Sequence, residues 1–271
     1  MVTDAGPVLV ERDGAAVWIT LNRPDRLNAI TPAMADDLLA AFTALADDES
    51  ARVVVLRGSG RAFCGGLDIK ETLASVDQLD VDGQEGAELS VLARIILAIR
   101  RCPQPVVALV HGAACGGGFA FALAADVRIA GESARMNDAF VNLGVSGCEL
   151  GVSYFLPRYI GLSAASELMY TGRFVHAERA RELGLVSTVV PDDALEQAGR
   201  DLVADMLRVA PLALRKTKET LAKSIGMADL EEILALEEAT QLECMRGPSF
   251  EEGLRAFVEK RDPQFTAHPP A

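Results

Sequence analysis

Hydrophobic and polar positions change their period along the chain, and each change marks an element. Val8-Leu9-Val10-Glu11 and Ala16-Val17-Trp18-Ile19-Thr20-Leu21, joined through Asp13-Gly14, predict a β-hairpin. Thr31-Pro32 sets a capping hydroxyl before a proline suited to a first helical position, and Leu38, Leu39, Phe42 and Leu45 then share one helical face. Val53-Val54-Val55-Leu56 is an unbroken apolar run, the mark of a buried strand. A helix is predicted over 89–99, halted at Cys102-Pro103, followed by a buried strand over 106–110. Gly112 and a glycine triplet at 116–118 then precede an apolar run, 119–125, that reads as a buried helix, with another strand over 127–130. The alternation predicts an α/β core with crossover connections, in which short strand, glycine loop and helix recur. After 194 only helical periods remain. Asp193 with Glu196 predicts a capping pair for a helix over 195–209, Pro211 opens another, and 227–245 is long and amphipathic. Ser249 and Glu252 predict a capping box for a last helix through Leu254, Phe257 and Val258. The expected division is a core over 1–193 and a helical region over 194–271, whose apolar stripes predict contact with a neighbouring subunit.

Composition narrows the partners. The chain carries 26 Lys+Arg against 39 Asp+Glu, a net charge of −13, which argues against nucleic acid or an anionic membrane surface as ligand. A polyanionic ligand must therefore be held by a few local cations and by backbone amides. The five cysteines, 64, 102, 115, 148 and 244, form no C-x-x-C pair and read as reduced thiols of a cytoplasmic protein. Asp4 and Pro7 spoil a signal peptide, and residues 71–88 read as an acidic, mobile surface segment. Residues 104–125 are uncharged, but a proline, His111 and the glycines make them strand, turn and helix rather than a membrane span. No metal-spaced Cys/His set, phosphate-binding G-x-x-x-x-G-K-[ST], H-E-x-x-H or G-x-S-x-G is present.

Chemistry concentrates at the glycines. Each glycine costs a helix about 1 kcal/mol against alanine, so three at a helix start need a reason. One reason is a ligand oxygen approaching bare N–H groups at the positive end of the helix; the other is tight packing of this turn on a neighbour. A second glycine loop, Ala62-Phe63-Cys64-Gly65-Gly66-Leu67-Asp68-Ile69, lies some fifty residues earlier.

Together with His111-Gly112-Ala113-Ala114-Cys115-Gly116-Gly117-Gly118, this loop resembles the crotonase (enoyl-CoA hydratase/isomerase) superfamily. Asn22-Arg23-Pro24, Leu27-Asn28-Ala29, Leu156-Pro157-Arg158, Leu183-Gly184-Leu185-Val186 and Ala256-Phe257-Val258-Glu259-Lys260-Arg261 extend the resemblance over most of the chain. It implies a ββα spiral core with a C-terminal helical oligomerisation region, assembled as a homotrimer or dimer of trimers. It also implies an acyl-CoA substrate with no further cofactor and a place in fatty-acid metabolism. The implied catalytic feature is an oxyanion hole formed by the backbone N–H groups of Leu67 and Gly117. Arg26, Lys70 and Lys260 take positions of CoA contacts, with Leu27, Gly65, Asp68 and Ile69 in the same loops and Phe257 near the adenine, reaching from a neighbouring subunit. Asp68 also reads as the cap of the following helix, and each cation as an ordinary solvated charge.

The chain departs from the family where hydratases carry two glutamates: it has Ala120 and Phe140. Neither side chain can move a proton. Glu149 remains, where dienoyl-CoA isomerases of the superfamily carry an acid. A carboxylate between Cys148 and Leu150 is expected to be partly desolvated, fit for acid/base work. Its other reading is a carboxylate paired with Arg158 or capping a helix near Ser153. Phe119, Ala120, Phe140 and Tyr154 are expected to shape the acyl slot. Asp126, Asp138 and His111 read as structural, His176 as a helix start, and Cys115 and Cys148 as small buried hydrophobes. These residues favour double-bond isomerisation over two-glutamate hydration. A non-catalytic acyl-CoA carrier and a scaffold subunit are the alternatives.

Overall fold

The computed structural model describes residues 6–74 and 89–265. The hairpin forms as expected: β1 (Val8–Asp13) and β2 (Ala16–Leu21) pair antiparallel, Asp13 facing Ala16. Helix α1 (Pro32–Leu45) starts where Thr31 accepts the Met34 N–H, and buries Leu38, Phe42 and Leu45. The central strands β3 (Val53–Gly58) and β4 (Val106–Val110) are apolar on both faces because both faces of their sheet are covered. Short α2 (Ile69–Ala74) occupies the start of the acidic segment; the rest of that expectation, 75–88, lies outside the described residues. Helix α3 (Val91–Arg101), capped by Ser90, ends at Cys102 as predicted.

After β4 come β5 (Ala113–Cys115), the buried helix α4 (Gly117–Ala124), β6 (Val127–Gly131) and β7 (Arg135–Asn137). Then follow α5 (Val152–Ile160), α6 (Leu162–Thr171), β8 (Val175–His176), α7 (Ala177–Glu182) and β9 (Thr188–Val190). The main sheet runs β1-β2-β3-β4-β6-β9, parallel except for the hairpin, and a small sheet runs β5-β7-β8. The chain thus visits the main sheet and then the small one, β4 to β5 and β6 to β7, which is the ββα spiral.

The larger core lies between the main sheet and α1, α3 and α4; the second face is sealed by α8 (Leu195–Leu207), whose Leu195 and Val203 meet Trp18, Val55 and Leu109. Residues 195–207 are therefore packed on the core, while α9 (Pro211–Ser224), α10 (Leu230–Arg246) and α11 (Pro248–Glu259) continue beyond it.

Two expected caps are not made. Glu196 turns to Arg57 and Arg200 instead of its helix start. Glu252 takes both guanidinium nitrogens of Arg261 and the Gln264 N–H, so α11 begins at Pro248 without a side-chain cap. In each case a charged partner from elsewhere outbids a neutral N–H. Among the described residues no helix is long and apolar enough to cross a membrane.

Candidate active site

The two glycine loops meet backbone to backbone. Cys64 donates to Ala113 O and accepts from the Cys115 N–H, both at 3.0 Å, and Phe63 donates to His111 O at 2.8 Å. The contact leaves no room for side chains: a Cβ on Gly118 would stand 2.3 Å from Cys64 O, and one on Gly66 2.8 Å from Cys115 O and 3.9 Å from Gly117 N. Gly66 moreover sits at φ +89°, where a side chain is strained. The glycines are thus spent on bringing residue 66 beside the N-terminus of α4. Of the two readings of the triplet, close packing holds for Gly118, while the Gly117 N–H is left over.

The flanking backbone bonds aim the donors. Ile30 donates to Gly66 O at 2.7 Å and accepts from Asp68 at 3.0 Å. In that parallel bridge the N–H of the residue between, Leu67, faces away from Ile30. Among the described residues neither the Leu67 nor the Gly117 N–H has an acceptor. Two unspent donors, one at a helix start, suit a negatively charged oxygen. The nearby Cys64 thiol is no rival nucleophile, because burial pushes it up to about 12.

The residue after Glu149 reaches this place: Leu150 Cδ1 lies 3.7 Å from a Cβ built on Gly117. Leu150 and Gly151 both take positive φ, turning Leu150 inward and leaving Glu149 outside. The expected desolvation of Glu149 is therefore corrected: its side chain is exposed, as is Cys148, which read as a buried hydrophobe. Nor does Arg158 pair with Glu149; it donates to Tyr154 O and lies over the Tyr154 ring. Glu149 instead caps with its backbone, its carbonyl accepting the Val152 N–H at 2.9 Å.

A groove of about 600 Å³ opens beside it, between α3 and residues 148–155, with Tyr154 on its wall. Of the other residues expected to shape an acyl slot, Phe119 and Ala120 are buried in the core from α4, and Phe140 packs against Gly116. A larger hollow of about 720 Å³, near the ends of β3 and β4, is lined by Arg57, Arg61 and His111; neither hollow is lined by Leu67 or Gly117, and the groove along α3 is distinguished by Glu149 and Leu150 on its wall.

The proposed CoA residues fall into two groups. Gly65 donates to Leu27 O at 2.8 Å, so Arg26 and Leu27 are drawn to the loop carrying Gly65, Asp68, Ile69 and Lys70, and both cations are exposed. Asp68 is occupied: its carboxylate takes Arg23 at 3.1 Å and caps α2 through Glu71 N, so that these bonds hold it below the usual range against the opposing effect of burial. Phe257 belongs to α11, which packs on α10, and Lys260 is the residue that ends it; Phe257 is 85% exposed.

The sequence profile of the enoyl-CoA hydratase/isomerase family matches residues 11–268. The chain belongs to that family. A Mycobacterium tuberculosis protein named "Probable enoyl-CoA hydratase EchA12" is 41% identical over 263 residues, 96% of this chain and 92% of that one. The crystal structure of an enoyl-CoA hydratase from Bacillus anthracis superposes with TM-score 0.90 at 33% identity, covering 97% of this chain and all (100%) of that one. An enoyl-CoA hydratase of Mycobacterium smegmatis superposes with TM-score 0.85 at 35% identity, over 96% of this chain and 99% of that one. The crotonase resemblance and the fold it implied are thereby shown.

Within this family member, sequence reasoning underrated Asn28. It is fully buried at φ +54°, and its amide nitrogen lies 2.9, 2.7 and 3.2 Å from the carbonyls of Ser59, Ala62 and Phe63. Two protons shared among three acceptors, with the Arg23 N–H returned at 2.8 Å, tie the opening loop to the one bearing Leu67. Asp126, read as structural, holds the Val106 N–H, Arg100 and Lys218. Asp138 is buried, and burial raises it to about 6 against the smaller opposing effect of the Phe140 N–H.

Proposed function

We propose that this enzyme moves a double bond in an enoyl-CoA through an oxyanion-stabilised enolate, with Glu149 as its single acid/base. The Glu149 carboxylate takes a proton from C2 of a 3-enoyl thioester, and the C–H electrons pass to the carbonyl oxygen. The Leu67 and Gly117 N–H groups hold that oxygen while the charge is on it, a term of about 10²–10³ in rate per donor. The same carboxylic acid returns its proton at C4, leaving the 2-enoyl thioester. One shuttle suffices because the proton leaves and returns on one face.

The observation that carries this reading is that Glu149 lines the groove while the adjacent Leu150 turns inward, its Cδ1 3.7 Å from where a Cβ on Gly117 would stand. Water addition needs a second group to activate the water, and the positions that hold it in hydratases carry Ala120 and Phe140. CoA binding by Arg26, Lys70 and, across a trimer interface, Phe257 and Lys260 belongs to the same proposal. The exposed apolar face of α11, with Phe257 85% and Val258 79% exposed, favours such an interface.

The test is Glu149→Gln assayed on 2-enoyl- and 3-enoyl-CoA beside a CoA-thioester binding measurement. Loss of isomerisation by about 10³-fold with binding retained supports the proposal. Undiminished activity in the variant removes Glu149 from the mechanism. The second reading, a non-catalytic acyl-CoA carrier, is favoured by Ala120 and Phe140 themselves, and it prevails if the unaltered protein binds enoyl-CoA yet turns none over.

A further inference from the structure

The groove beside Glu149 does not end in apolar packing. Along α3 it is lined by Ala93, Ile96 and Leu97, and it closes on Arg100, Arg101 and Ala222 of α9. These last three residues also line a second hollow of about 510 Å³ whose wall carries six cations against two carboxylates. In a chain of net charge −13 such an excess is local and needs a cause.

Most of these cations are already engaged. Arg100 and Lys218 share Asp126 at 3.0 and 2.8 Å, and Lys216 and Lys223 share Glu219. Arg101 and Arg215 make no ion pair or side-chain hydrogen bond among the described residues. Nothing in the packing of α3 requires Arg101, since its buried face is Ile95, Ile96 and Ile99.

We propose that the far end of the acyl groove recognises an anionic group on the acyl tail, a terminal carboxylate, so that the preferred substrates are ω-carboxy acyl-CoA thioesters. The inference rests on the enolate reading above and names its substrate class. The stretch of α3 that lines the groove, from Ala93 to Arg101, rises ~12 Å, comparable with an acyl chain of medium length. A methyl end arriving there would gain no contact that water does not already offer the Arg101 guanidinium, which has no partner among the described residues, or Arg215 in the adjoining hollow. A carboxylate would take a charge-assisted, two-pronged hydrogen bond from arginine. The rival occupant, a neutral alkyl tail, fits the apolar middle but leaves the basic end without a partner.

The experiment compares kcat/KM for pairs of 3-enoyl-CoA esters of equal length, one ending in methyl and one in carboxylate, across a series of chain lengths. At the best length the carboxylate-ended ester is preferred about tenfold or more, and Arg101→Met lowers that preference about tenfold. Arg215→Ala, a second exposed position, lowers it in the same sense. A methyl-ended ester used equally well at every length overturns the proposal, as does a preference that survives both substitutions. The enolate reading then still stands, provided the methyl-ended esters turn over and Glu149→Gln abolishes it. Failure to bind or turn over any enoyl-CoA removes both together.

Discussion

Gly118→Ala is the sharpest local perturbation of the two-loop contact. Its Cβ would stand 2.3 Å from Cys64 O and 2.6 Å from Cys64 Cβ. Non-bonded heavy atoms settle at about 3.5 Å or more, so one loop must retreat by roughly 1 Å. Cys64 is three residues ahead of Leu67, and Gly118 is the residue after Gly117; the retreat therefore separates the two donors directly. Misplacing a reacting group by about 1 Å costs on the order of 10²-fold, and losing one oxyanion donor costs about 10²–10³-fold. Overpacking itself takes about 1–3 kcal/mol of stability, tolerable in a domain of this size. The expected result is a folded protein with kcat lowered about 10²-fold and acyl-CoA affinity changed far less. The assay pairs initial rates on 3-enoyl-CoA with a thermal melt and a binding isotherm. A folded variant with the parent rate would refute the claim that this contact sets the donor geometry.

Three further outcomes follow from single residues. Gly253→Ala places a methyl no nearer than 3.9 Å to the Phe265 ring, within α11, and is expected to raise stability by about 0.5–1 kcal/mol in a urea titration with kinetics unaltered. Asn28→Leu leaves the Ser59, Ala62 and Phe63 carbonyls short of donors in a buried place and is expected to cost about 3 kcal/mol, read from the same titration; a cost under 1 kcal/mol would show that the knot is not structural. Asp138 is raised by burial from 3.8 to about 6, so its neutral form is the one the fold favours. The penalty is absent below pH 4, grows between pH 4 and 6, and reaches about 3 kcal/mol above that. Asp138→Asn is therefore expected to stabilise at pH 7.5 by up to that amount and to change little at pH 4. An equal effect at both pH values contradicts the assignment.

The readable parts of the fold were those set by neighbours in sequence. The hairpin at Asp13-Gly14, the Thr31 cap of α1 and the two-sided apolar strands β3 and β4 follow from local pattern alone. The small sheet was not readable, because strands of two or three residues carry no period. Capping at Glu196 and Glu252 failed as an expectation because Arg57 and Arg261 reach them from outside their helices, and Arg200 adds a pair to Glu196 within α8. At the site, the glycines at 66 and 118 betrayed the loop contact, since only backbone fits there. The groove along α3 left no such trace: it arises where α3, α5 and α9 pack, and the inward turn at Leu150 decides that Glu149 stays exposed. Lys218, buried against Ile99 O, Gln104 O and Asp126, was likewise invisible, its partners lying 119, 114 and 92 positions away.

The most direct measurement is a crystal structure of the protein with a non-reacting acyl-CoA thioester. The account predicts the thioester oxygen within about 3 Å of both the Leu67 and Gly117 nitrogens, with the Glu149 carboxylate facing the acyl carbons next to it. A thioester bound with its carbonyl turned away from those two nitrogens would contradict it.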